Sequence, residues 1–228
     1  MQWRENPESY HSRRLCRSRG SIDSEVNLRS SLMRYAQRFF FAVGFITLVY
    51  TGSTIAYAEL YQRYQSWKFD QRIDTPLTKE AAMVVAIAAK SRDLTEGDLI
   101  GKLVIPRIGI SVMVLQGVEE ATLRLGAGHV PGTPLPGTEG NVAIAAHRDT
   151  FFRKLAGILP LDRVQFSTGA GTFEYVVTST EIVEPEDTRP MESRGLPELT
   201  LISCYPFYFV GAAPKRFIVH AIPANSTP

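Results

Sequence analysis

The sequence predicts an all-β domain behind one N-terminal membrane helix. Seven short β-rich runs follow Gly101, cut apart by glycine and proline, and one uncharged stretch of twenty residues, Phe39 to Ala58, precedes them. A composition of 44% hydrophobic and 21% charged residues, with 17 Gly and 14 Pro, is that of a folded, loop-rich chain. It excludes collagen-like, coiled-coil and wholly disordered classes. With 228 residues, one medium domain plus accessory segments can bury a real core.

The first 38 residues hold eight arginines against four carboxylates, a net charge of +4 within a chain of net charge +2. These basic groups lie on a Ser- and Arg-rich tail rather than on the folded part, so no nucleic-acid partner is expected. Next comes FFFAVGFITLVYTGSTIAYA, long enough at 1.5 Å per residue to cross about 30 Å of hydrocarbon. Arg34 and Arg38 flank it, and the positive-inside bias keeps the basic arm cytoplasmic and exports everything after residue 58. Ala56-Tyr57-Ala58 has the small-x-small pattern of a cleaved signal, but the long arm and long apolar run favour a retained single-pass anchor. Cys16 and Cys204 then face different compartments and cannot pair within one inserted chain, which leaves Cys204 an exported lone thiol.

Residues 59–99 read as a stalk, with a helix expected over Thr78–Arg92, where Ala81 to Ala89 are apolar but too few to span a membrane. From residue 100 the runs KLVIP, ISVMVLQ, GNVAIAAH, RVQFST, TFEYVVTSTEIV, ELTLISC and KRFIVHAI predict strands. The stretches between them are too short for regular crossover helices, Phe151 to Leu159 excepted, so an antiparallel barrel or sandwich is expected. GAGHVPGTPLPGTEGN is a Gly/Pro loop without the Gly-Lys-Ser/Thr ending of a phosphate cradle.

Strand periodicity puts Thr200, Ile202 and Cys204 on one face of ELTLISC. If that run pairs antiparallel with KRFIVHAI, Arg216 lies beside Cys204, where a cation favours thiolate and a guanidinium fork can hold an oxyanion. The imidazole partner is one of His147, His220 and His129, because His11 lies across the membrane. His147 is preferred: it ends a strand whose same face carries the small residues Ala143 and Ala145, leaving room for a substrate. Asp149 reads as a turn residue, and no HExxH, CxxC or close His pair supports a metal site. Spacing alone favours the blander assignment, a buried thiol and a strand-end histidine.

Taken together, GHVPGT, GNVAIAAHRDTFF, LTLISCYPF and APKRFIV resemble the sortase family, most closely its class D, from Gly101 to about Ile222. Ser203 stands where the family pattern TLxTC has Thr, and Ala146 where its histidine motif commonly has Gly. The resemblance implies an eight-stranded β-barrel with short helices and a cysteine transpeptidase mechanism. In it Cys204 is the nucleophile, His147 the general acid and base, and Arg216 the oxyanion-stabilising group. Ala145, Ala146, Thr200 and Ile202 are the candidate substrate-binding residues. The implied substrates are secreted proteins with a C-terminal sorting signal of the Leu-Pro-x-Thr-Gly type, transferred to an amine-bearing surface acceptor without a cofactor. A hydrolysing thiol endopeptidase and a non-catalytic, membrane-tethered peptide-binding barrel are the competing assignments.

Overall fold

The computed structural model describes residues 19–73, 94–193, 195–209 and 211–226. The chain divides into two compact units, Met1–Ile55 and Ala56–Pro228. Helix α1 (Arg19–Ile73) runs for 55 residues and contains the twenty-residue apolar stretch. Its segment Met33–Phe69 is long and apolar enough to cross a membrane by length and composition. The polar side chains within the stretch bond to their own helix, Thr47 and Thr51 donating to the carbonyls of Val43 (2.9 Å) and Thr47 (2.7 Å). Such back-bonding satisfies these two hydroxyls without water. The helix expected over Thr78–Arg92 lies outside the described residues.

Eight strands close into a barrel in the order β1-β2-β3-β4-β7-β8-β6-β5. They are β1 (Leu99–Ile105), β2 (Ile110–Gln116), β3 (Ala127–His129), β4 (Asn141–Ala146), β5 (Arg163–Thr168), β6 (Gly171–Val183), β7 (Glu198–Tyr205) and β8 (Lys215–Pro223). Alternate residues fill the interior: Leu103 and Ile105, Val112 and Val114, Val142 and Ile144, Leu199 and Leu201, Val219 and Ala221 all belong to one buried cluster. Phe152 and Leu155, from a 3₁₀ turn where Phe151 to Leu159 left room for a helix, join the same core.

The expected antiparallel order needs correcting at two places. β2 pairs parallel with β3, and β4 pairs parallel with β7. The first is made possible by α2 (Glu120–Leu125), a six-residue helix in the connection that looked too short for a crossover. The second arises because the β5–β6 hairpin passes round the far side of the barrel. Where β3 has not yet begun, the Gln62 carboxamide of α1 fills in: its Oε1 accepts from the Met113 N–H at 2.9 Å, and its Nε2 donates to the Leu125 carbonyl. Gly126 is needed here, since a Cβ would meet the Met113 carbonyl oxygen at 2.5 Å.

Between β1 and β5, Asp162, buried, receives the Arg107 guanidinium and also accepts from the Leu159 N–H at 2.8 Å. The donated bonds hold its carboxyl below the usual range against the opposing effect of burial. Asp162→Asn should lower the unfolding free energy by about 1–3 kcal/mol at pH 7, the cost of leaving part of that cluster unmatched. With a depressed folded-state pKa, this stability is present above the unfolded value of about 3.9 and is lost as pH falls through the folded value. The gap between wild-type and variant melting curves should therefore close on acidification.

Candidate active site

Three strand ends converge. Ala145 lies opposite Ile202 and Ala146 opposite Ser203 in the parallel β4–β7 pair, so His147 follows β4 at the level of Cys204. On the other side of β7, Cys204 pairs with Arg216 across the antiparallel β7–β8 ladder. Histidine, cysteine and arginine therefore occupy one row across three neighbouring strands, which lie about 4.8 Å apart. The inward positions of β7 carry Leu199, Leu201 and Ser203, all buried, so Cys204 belongs to the outer face, where it is half-buried.

Ser203 also bears on the site. Its hydroxyl donates to the Ala146 carbonyl at 3.2 Å and ties β7 to the residue just before His147. A threonine would supply the same hydroxyl, so the departure at this position keeps the group that acts. His147 is about a third exposed, and its Nε2 lies 3.7 Å from Glu120 Oε2 at the start of α2. Arg216 Nη1 donates to the carbonyls of Ala213 (3.4 Å) and Lys215 (3.1 Å), which fixes one edge of the guanidinium against the β7–β8 connection.

The four candidate substrate-binding residues separate. Ala145 and Ile202 are half-buried and stand opposite each other one step before the row. Ala146 belongs to the hydrophobic core, so its methyl cannot meet a substrate. Thr200 has no exposed surface: its hydroxyl bonds to Asn141 Oδ1 (2.8 Å) and the Pro190 carbonyl (3.2 Å). Asn141 Nδ2 donates to the same Pro190 carbonyl at 2.8 Å, so the turn Arg189–Met191 is pinned over this end of the face. Thr200 anchors a wall instead of lining an opening.

The other two histidines have structural partners. His129 is buried in β3, its ring nitrogens 2.9 Å from Gln116 Oε1 and from the Pro134 carbonyl. Burial holds its imidazole below the usual range, with the Pro134 bond opposing. His220, opposite Thr200 and four residues along β8 from Arg216, pairs with Glu181 Oε1 at 2.8 Å. One charged residue that the sequence did not single out stands at the site, Glu120 beside the imidazole; Arg148, directly after His147, closes the matched histidine motif Ala145 to Arg148. Glu120 has no periodicity signal, since a charge on so short a helix reads as solvated surface.

Comparison with known proteins bears on the family and the fold. The chain is 34% identical to Sortase D of Bacillus subtilis (strain 168) over 125 residues, 54% of the chain and 63% of that relative's length. To Sortase A of Bacillus anthracis it is 27% identical over 164 residues, 70% of the chain and 72% of the relative. Among solved structures, a Clostridium perfringens Sortase D5 transpeptidase superposes with a TM-score of 0.58 at 21% identity, covering 72% of this chain and 96% of that one. Sortase A from Corynebacterium diphtheriae gives 0.56 at 23%, covering 72% and 93%. At these identities the structural likeness concerns the fold, and the barrel is shared. The family model described as Sortase domain matches residues 103–224, more than half of the 228 residues, and the chain belongs to the sortase family.

Proposed function

We propose that the protein is a cysteine transpeptidase that cleaves a Leu-Pro-x-Thr-Gly-like signal between Thr and Gly and transfers the new acyl end to an amine at the cell surface. The observation that carries this reading is the single cross-strand row of His147, Cys204 and Arg216 on the outer face of the barrel.

In this reading the Cys204 sulfur, as thiolate, adds to the Thr carbonyl carbon, and the oxygen takes up the negative charge beside Arg216. Collapse of the tetrahedral species breaks the C–N bond, and His147 gives its proton to the departing glycine amine. The incoming amine then attacks the thioester while His147 takes its proton, and the thiolate leaves. Glu120, 3.7 Å from the imidazole, forms an ion pair with its protonated form. Residues 39–58 anchor the enzyme in the membrane with the basic arm in the cytoplasm, so the barrel meets exported proteins.

The test is intact-mass measurement after the detergent-solubilised full chain is mixed with such a peptide and acid-quenched. A covalent adduct on Cys204 equal to the peptide up to its Thr, followed by aminolysis product when an amine is added, is the expected result. Hydrolysis alone in the presence of abundant amine would place the protein among thiol endopeptidases, and no adduct at all would reject the enzyme assignment.

A further inference from the structure

The connection from β7 to β8 leaves the nucleophile strand two residues after Cys204 and returns to the row at Arg216. Its backbone is gathered around one side chain. Arg148 Nη1 donates to the Pro206 carbonyl at 2.9 Å, and Nη2 donates to the carbonyls of Phe209 (2.9 Å) and Gly211 (2.8 Å). Three carbonyl dipoles of one loop thus point at a common centre, where they repel one another unless a cation sits there. Two of the loop's three aromatic side chains also meet guanidinium groups, while Phe207 packs on Phe217. Phe209 lies 5.7 Å from the Arg148 guanidinium and Tyr208 lies 6.0 Å from that of Arg153.

We propose that Arg148 is a positioning residue that holds the β7–β8 connection in the shape that walls the peptide site beside Cys204, so that the histidine segment and the nucleophile loop form one unit. The proposal rests on the transpeptidase reading for its kinetic consequence but not for the clamp itself. Arg148 follows His147 directly, so one short segment supplies both an imidazole to the row and a template to the loop. Lysine is a poor substitute, because one ammonium cannot present two separated nitrogens to carbonyls five residues apart in the chain.

The full-length chain with Arg148→Ala and Arg148→Lys tests this. Arg148→Ala should raise KM for the sorting peptide by about tenfold, the scale of a lost charge-assisted contact, while kcat changes much less. Arg148→Lys should recover only part of the loss, and added methylguanidinium should restore KM in the alanine variant. The rate of Cys204 alkylation by iodoacetamide should stay near wild type, since Cys204 and Arg216 are held by the β7–β8 ladder. Unchanged KM, or kcat, KM and alkylation all failing together, overturns the positioning role. Hydrogen exchange reads the clamp without turnover: loop amides 207–209 and 211–213 should exchange faster in both variants while those of β4 and β7 do not. Equal protection in the wild type and both variants overturns the clamp, whereas a wild-type chain that transfers no peptide but shows the exchange difference rejects only the transpeptidase reading.

Discussion

Cys204→Ala is expected to abolish the covalent adduct and to lower peptide transfer by about 10⁴-fold or more, the scale seen when a catalytic nucleophile is removed. Neither the serine nor the threonine of β7 can take over. Ser203, one residue earlier, points into the barrel and spends its hydroxyl on the Ala146 carbonyl, and the Thr200 hydroxyl is sealed under Pro190. Cys204→Ser should be almost as inactive, because a hydroxyl gives up its proton far less readily than a thiol and is the weaker nucleophile toward a carbonyl. Both variants should keep the wild-type melting temperature to within a few degrees, as Cys204 lies on the outer face and outside the core cluster. Measured transfer by Cys204→Ala at the wild-type rate rejects the mechanism, and loss of transfer together with collapse of the fold is separated from it by the melting curve.

The residues that place the site were readable because they obey local rules. Period-two alternation sorted Leu199 and Leu201 from Ile202 and Cys204, and an antiparallel return through a Pro- and Gly-marked connection set Arg216 opposite Cys204, the register found. What local rules do not contain is the neighbour of β4. Its parallel pairing with β7 follows from closure of the whole barrel, with the β5–β6 hairpin between them in sequence but not in space. Short elements escaped for a related reason. α2 has six residues and β3 three, too few to display a 3.6-residue or two-residue period. His129 accordingly read as a loop residue, although the three-residue strand buries it. Thr200 was misjudged because its face was right but its cover was not visible: Pro190, which closes over it, comes from a loop with no pattern tying it to the β4–β7 surface.

Arg216→Ala should lower kcat by about 10²–10³-fold with a smaller change in KM, as expected when a donor to the transition-state oxyanion is removed. The same guanidinium could act on the ground state by holding the thiolate, and the two roles separate experimentally. Alkylation by iodoacetamide consumes the thiolate but develops no carbonyl oxyanion, so it responds to the first role and not to the second. We propose the oxyanion role on two grounds. Arg216 is directly opposite Cys204 across the ladder, and its Nη1 is turned toward the Ala213 and Lys215 carbonyls, so the remaining edge of the fork meets a ligand in one orientation. Acylation should therefore fall far more than alkylation in Arg216→Ala. Arg216→Lys should lie between the two, keeping charge near the sulfur while losing the planar pair of donors. Equal losses in acylation and alkylation would instead assign Arg216 to thiolate stabilisation, leaving the oxyanion to another donor.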